Sequence, residues 1–354
     1  MSTFIPFLDG DTVDSIDRVF ASAWSDNTND LVTNHFSSSA QYITTSATSS
    51  GAYFMEIYST DPDANPTTAE VQYSIAYGNR KGSGSLNISG GATGGANGFN
   101  ASKAIYNQYR SLVYGGDETQ NFSFDGHTPD DIFVLNINRA RYKNSIRMGN
   151  QFNLKLSGSG TRNLELTDDS ITTSGSANAI RPGVGREFNL VSGSSGIRVG
   201  NTNTYVVDSG SYGLVYPDAG LIILNGDAIN SSVATFGLNL GINRETNENG
   251  INPVKLQNSL ISGSVFQLDS QEDIASKFYF VRAQNQEFNY TTNDSFTEND
   301  GTLKYDSMID NPQTYITTVG LYNDAQDLLA VAKLSQPLPK DFTKEALVKV
   351  KLDY

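Results

Sequence analysis

The feature that most constrains this chain is its punctuation. In the middle of the chain, through EFNLVSG, TYVVDSGSYGLVY and PDAGLIILNGDAI, apolar and polar side chains alternate in short runs, and Gly, Asn or Asp breaks the alternation about every 8–12 residues, the spacing of an antiparallel sandwich or barrel. DIFVLNINRARY, QFNLKL, RNLELTDDS, EFNLVSG, TYVVDSGSYGLVY, PDAGLIILNGDAI, KFYFVRAQNQEFNY, TLKYDSMI, TYITTVGLY and LLAVAKL all read as extended segments. The final ALVKVKLDY alternates strictly: Val348, Val350, Leu352 and Tyr354 face one side, and Lys349, Lys351 and Asp353 the other. Composition agrees, since 102 of the 354 residues are Ser, Thr or Asn, beside 32 Gly. Those residues favour turns and polar strand faces over long helices. The expected fold is mainly β, with antiparallel sandwich or barrel-like domains and a few short helices.

Two helices are expected. Ile16, Val19, Phe20 and Ala23 recur at helical spacing over residues 11–23, behind a cap at Asp11 or Thr12. ASKAIYNQYRSLVYGG sets Ile105, Tyr109 and Leu112 on one face between Asn100 and Gly115. Strands YITT, AYFMEIYS and VQYSIAYG precede the second helix, and residues 82–102, with seven Gly and no charge, read as a hinge. The Asn-rich stretch 225–260 reads as loop with some ordered turns. Three regions follow: an acidic N-terminal docking region, 1–99, ending in the hinge; a central β-rich domain, 100–270; and a C-terminal antiparallel β domain, 271–354.

Charge and residue inventory narrow the chemistry. The formal charge is −14, and ten acids against Arg18 put nine of those charges in residues 1–70. A field of that sign repels phosphate backbones, so nucleic acid is not an expected partner. No stretch approaches the ~18 apolar residues of a membrane span, and the N-terminal sequence lacks the basic flank of a secretory signal. With no Cys and two His, thiol nucleophiles, disulfides and Cys-based zinc sites are excluded.

GSSG at 193–196 is no nucleophile elbow, and GNRKGSG at 78–84 lacks the spacing and the Lys of a phosphate loop. DPDANP at 61–66 has Pro66 where a calcium loop needs Gly. Asp168 and Asp169, adjacent on a strand, point to opposite faces and cannot flank one bond. DGHTPDD joins Asp125, His127, Asp130 and Asp131 within seven residues; it reads as a solvated turn, with a metal or acid/base site as the sharper alternative. No catalytic, cofactor or metal residue is expected. The candidate surfaces are charged. In an extended segment Arg139, Arg141 and Lys143 share a face, and with Arg147 they form a basic strip suited to a neighbour's carboxylates. Asp9, Asp11, Asp14 and Asp17 form an acidic counterpart.

NPQTYITTVGLYNDAQDLLAVAKLSQPLPKDFTKEALVKVKLDY resembles the closing segment of a family of virion structural proteins from T-even-like contractile-tailed phages, notably those infecting cyanobacteria. ASKAIYNQYRSL, DIFVLNINRARYKNSI, SYGLVYPDAGLIILNG and FYFVRAQNQEFNY resemble the same family, so the likeness spans most of residues 100–354. It implies a non-enzymatic tail, baseplate or neck component, in multiple copies against other virion proteins, assembled in the host cytoplasm without a cofactor. A fibre-like receptor-binding protein, stacking exposed Tyr and Trp24 on host sugars, is the alternative. A polysaccharide depolymerase ranks below it.

Overall fold

The computed structural model describes residues 4–25, 36, 54–84, 101–199, 212–233, 237–244, 251–289 and 295–354. Among the described residues strand accounts for 43% and helix for 13%, in antiparallel sheets with four helices, as the alternation predicts. Two compact units divide the chain: Val19–Glu272, and Asp273–Tyr354 together with Met1–Arg18. This division differs from the regions 1–99, 100–270 and 271–354. The first 18 residues belong with the C-terminal strands, and the described part of 19–99 belongs with the central ones.

The elements begin with β1 (Thr12–Ser22), β2 (Phe54–Tyr58), β3 (Val71–Asn79), α1 (Ala101–Tyr114), β4 (Asp131–Ile137), β5 (Ser145–Ile146), β6 (Asn153–Ser157) and β7 (Asn163–Asp168). There follow β8 (Ala179–Arg181), β9 (Gly185–Ser194), β10 (Ile197–Arg198), β11 (Gly213–Tyr216), β12 (Leu221–Asn225), α2 (Gly226–Ile229) and α3 (Ile251–Gly263). The chain closes with β13 (Val265–Gln267), β14 (Asp269–Ala283), α4 (Ser307–Asp310), β15 (Thr314–Tyr322), β16 (Leu328–Lys340) and β17 (Ala346–Asp353).

The larger unit is built on one sheet in the order β13-β6-β7-β9-β11-β12-β4-β3-β2, with β8 and β10 also pairing β9. Its central strands read as unbroken apolar runs because both faces are covered. On β4, Phe133, Leu135 and Ile137 enter one core while Ile132 and Val134 enter the other. On β12, Ile222 and Leu224 divide from Leu221 and Ile223 in the same way. Each Leu or Ile so buried contributes about 1.5–3 kcal/mol. Helix α1 seals the second core through Tyr106 and Val113, with Ile105 and Tyr109 packed beside them and Leu112 left at the surface. It lies so close to β3 that a Cβ on Gly78 would sit 3.1 Å from the Tyr106 backbone.

Helix α3 covers the first core through Leu256 and Leu260, four residues apart. It falls where a loop is expected; Pro253 is tolerated because the first turn has no intrahelical use for its missing N–H. Trp24 is also in this core, 2% exposed, its Nε1 donating to the Phe266 carbonyl at 2.9 Å.

In the smaller unit, β14 lies between β1 and β17, and β15 and β16 form a hairpin. Residues 11–23 are not a helix: a helix there would need a core for its apolar stripe, whereas Val13, Ile16, Val19 and Phe20 are exposed and the segment extends as a strand. TLKYDSMI carries the short helix α4, preceded by Asp306, instead of a strand. Val319, Leu321 and Val350 make the small core, with Tyr279, Val281, Val348 and Leu352 packed against it. Tyr354, expected on that face, is exposed at the chain end. YITT and most of the Gly-rich hinge lie outside the described residues.

Candidate functional site

Among the candidate acids, two meet lysines of their own unit. Asp14 Oδ1 is 3.6 Å from Lys277 Nζ, and Asp17 Oδ2 is 3.3 Å from Lys351 Nζ. Lys351 also meets Asp353 at 3.1 Å; that carboxylate, with Asp17 behind it, raises the ammonium's pKa. Asp11 accepts the Leu8 N–H at 2.8 Å, and Asp9 is exposed. Pairs as exposed as these contribute little stability and weaken in salt.

Successive residues of a strand face opposite ways, so Tyr279 and Val281 enter the small core while Phe278 and Phe280 take the other face. Lys349 Nζ lies 3.9 Å from the Phe278 ring centroid and 5.9 Å from that of Phe280. Around these elements many large apolar side chains stay exposed: Leu8, Ile16, Tyr315, Leu329, Val331 and Leu347 each keep more than half of their surface.

The basic group departs from the expected strip. Arg139–Arg141 is a 3-10 turn capped by Asn138, whose Oδ1 accepts the Ala140 N–H at 2.9 Å, so the three cations do not share a strand face. Each is engaged within its own unit. Arg139 donates to the Tyr142 carbonyl at 2.5 Å and stacks on that ring. Arg141 pairs with Glu70 at 2.9 Å and Lys143 with Glu272 at 3.7 Å. Arg147 pairs with Asp269 at 3.3 Å and lies 3.9 Å over the Phe20 ring. Asn138 initiating a turn, a signal readable in NRARY, outweighs the run of extended residues before it.

The His–carboxylate cluster is drawn together more tightly than its spacing suggests. Asp125 and Gly126, both at positive φ, close the turn that bridges Phe124 to His127. Asp131, with no exposed surface, accepts from the Tyr77 hydroxyl at 2.5 Å, Asn79 Nδ2 at 2.6 Å and Arg244 Nε at 2.7 Å. Arg244 also pairs with Asp227 at 2.9 Å, and His127 Nε2 is 3.5 Å from the other Asp227 oxygen. Burial, then the charge of Asp131, pushes the Asp227 carboxyl above its ordinary range. Burial and Asp131 likewise hold the Tyr77 phenol protonated far above the usual tyrosine value. Asp130 goes the other way: burial opposes ionisation, but hydrogen bonds from Lys81 and Arg80 prevail and lower it. The GNRKGSG turn, weighed as a phosphate loop, thus closes on a carboxylate. Both oxygens of Asp131 are engaged, so its role is to hold β3, β4 and the Arg244 segment together.

Asp168 and Asp169 have separate partners, as opposite faces require. Asp168 accepts the Gly149 and Ser170 N–H groups, and Asp169 the Asn189 amides. Trp24, offered as a sugar-stacking residue, is in the core. Among the described residues no helix is long and apolar enough to cross a membrane, and no group of three or more His, Cys, Asp and Glu has the arrangement of a metal site. No family model, no curated protein and no solved structure matches the chain.

Proposed function

We propose that the protein is a non-enzymatic structural component of a tailed-phage virion, working by protein–protein contact in the tail, baseplate or neck after assembly in the host cytoplasm. One observation carries this reading: among its described residues the C-terminal unit leaves many of its large apolar side chains exposed. Its core fully encloses only Val319, Leu321 and Val350 among the larger apolar residues described, while Tyr315, Leu329, Val331, Leu347 and Ile16 are 59–67% exposed. Exposed apolar side chains along the β15–β16 hairpin and on β1 and β17 are surface that a partner protein can cover. The acidic β1 and the lysines of β17 supply the polar rim that fixes orientation. The resemblance of most of residues 100–354 to virion structural proteins supports the same conclusion.

The test is incorporation. The variant Tyr315→Asp/Leu329→Asp/Val331→Asp changes exposed positions and should fold, yet be lost from purified particles at least tenfold relative to the unaltered chain. Undiminished incorporation contradicts the reading.

A receptor-binding fibre is the second reading, favoured by the exposed rings of Tyr305, Tyr315 and Tyr354. A glycan array separates the two: saturable binding lost on replacing those tyrosines by Ala supports the fibre.

A further inference from the structure

We propose that the chain associates with further copies of itself edge to edge through its C-terminal unit, the basic strand β17 of one copy lying beside the acidic strand β1 of the next. This names the partner for one surface of the assembly reading and rests on that reading for its setting in the virion.

Strand β14 separates β1 from β17, and among the described residues no strand pairs with the outer edge of either. Along β1 as far as Arg18 and along the eight residues of β17, the backbone groups that point away from β14 can therefore pair with another chain. Their directions match. Phe280 N donates to Asp11 O at 2.8 Å, Lys277 meets Asp14, and Asp273 meets Arg18, so partner numbers fall as β1 advances and β1 is antiparallel to β14. Strand β17 is antiparallel to β14 as well. The two edges thus run the same way, and a copy displaced sideways across the sheet sets its β1 parallel to β17, a ladder that natural sheets use.

Charge decides which edges meet. Asp14 and Asp17, against Arg18, leave one edge net acidic, and Lys349 and Lys351, against Asp353, leave the other net basic. Edges of like sign repel and edges of unlike sign attract, which selects head-to-tail contact over a two-fold dimer. Exposed Val13 and Ile16 on β1 and Leu347 on β17 add apolar area beside the charges. The exposed pair between Lys351 and Asp17 exchanges partners at little cost. Contact between two different surfaces does not stop at two copies; it continues until a ring closes or a filament grows.

Sedimentation of the full chain tests this with two variants, Lys349→Glu/Lys351→Glu and Asp14→Lys/Asp17→Lys, each first shown to melt cooperatively. The unaltered chain should have a weight-average mass at least twice that of one copy at low salt, falling toward one copy at high salt. Each variant alone should remain a single copy. An equimolar mixture should recover at least twofold mass, because only contacts between unlike chains regain opposite charges. A single-copy mass for the unaltered chain at every salt concentration, or a mixture that stays dissociated, overturns the proposal. If those same variants still enter particles, edge pairing fails while the assembly reading stands.

Discussion

Arg244 Nε donates to Asp131 Oδ2 across 2.7 Å and 113 positions of sequence, putting a cation of a short loop segment against a carboxylate that has no exposed surface. A buried charge is tolerated only when paired and hydrogen-bonded. Replacing Arg244 by Met should therefore destabilise the protein by about 1–3 kcal/mol, since Asp131 loses a charged partner, but Arg244 is half exposed and Tyr77 and Asn79 still donate to the carboxylate. Asp131→Asn/Arg244→Met, which removes both charges, should recover part of that loss. Urea denaturation of the two variants measures the difference, and equal losses would remove the pairing from the explanation.

Gly263 ends α3 against β6, where an added Cβ would lie 1.9 Å from the Lys155 carbonyl oxygen. That contact is with backbone, so relief requires the helix end to move. Gly263→Ala should cost about 1–3 kcal/mol, read as a lower denaturation midpoint. Gly175→Ala, with open space around the Cβ but a φ of +80°, should cost only about 1 kcal/mol.

The chain's one tryptophan reports on the first core. Trp24 is 2% exposed, so native fluorescence should be blue-shifted and resistant to aqueous quenchers, and should move red with unfolding. Trp24→Phe leaves the Phe266 carbonyl without its indole donor and should cost about 1–3 kcal/mol. Native emission already at the solvent-exposed wavelength would contradict the burial.

Stability should fall steeply in alkali. Burial holds the phenols of Tyr73, Tyr77 and Tyr216 protonated well above the ordinary tyrosine value and pushes Tyr114 up to about 12. Above pH ~10 the unfolded chain releases these protons while the folded one retains them, so the unfolded state binds fewer protons and stability declines as pH rises. The acid limb has the opposite origin. In Asp218, burial opposes ionisation but the Arg186 hydrogen bonds prevail, so its folded pKa is lowered. Its contribution, like that of Asp130, is present above the unfolded value near 3.9 and lost as pH falls through the folded one. Melting temperature followed from pH 3 to 11.5 should fall at both ends; a flat profile above pH 10 would contradict the buried phenols.

Much of this fold is legible in the residues because local pattern and burial agree. Strand β17 alternates as its half-buried position demands, and α1 shows its period, Asn100 before it and Gly115, at φ +74°, after it. Reading fails where tertiary pairing overrides local pattern. The apolar positions of 11–23 fit a helix, but pairing with β14 makes them a strand whose apolar side chains remain exposed. Arg139, Arg141 and Lys143 looked like one basic face, and the Asn138 cap turns the chain before it can form. The cluster around Asp131 is half legible: DGHTPDD supplies Asp130, Asp131 and His127. Tyr77, Asn79, Asp227 and Arg244 come from segments up to 113 positions away, and nothing in their own neighbourhoods marks them.

Hydrogen exchange of the free chain against the chain within purified particles bears most directly on whether this protein works by association. The backbone amides of Thr314–Tyr322 and Leu328–Lys340, beside Tyr315, Leu329 and Val331, should exchange at least tenfold more slowly in the particle. Exchange that is equally fast in both states would contradict an assembly role for this surface.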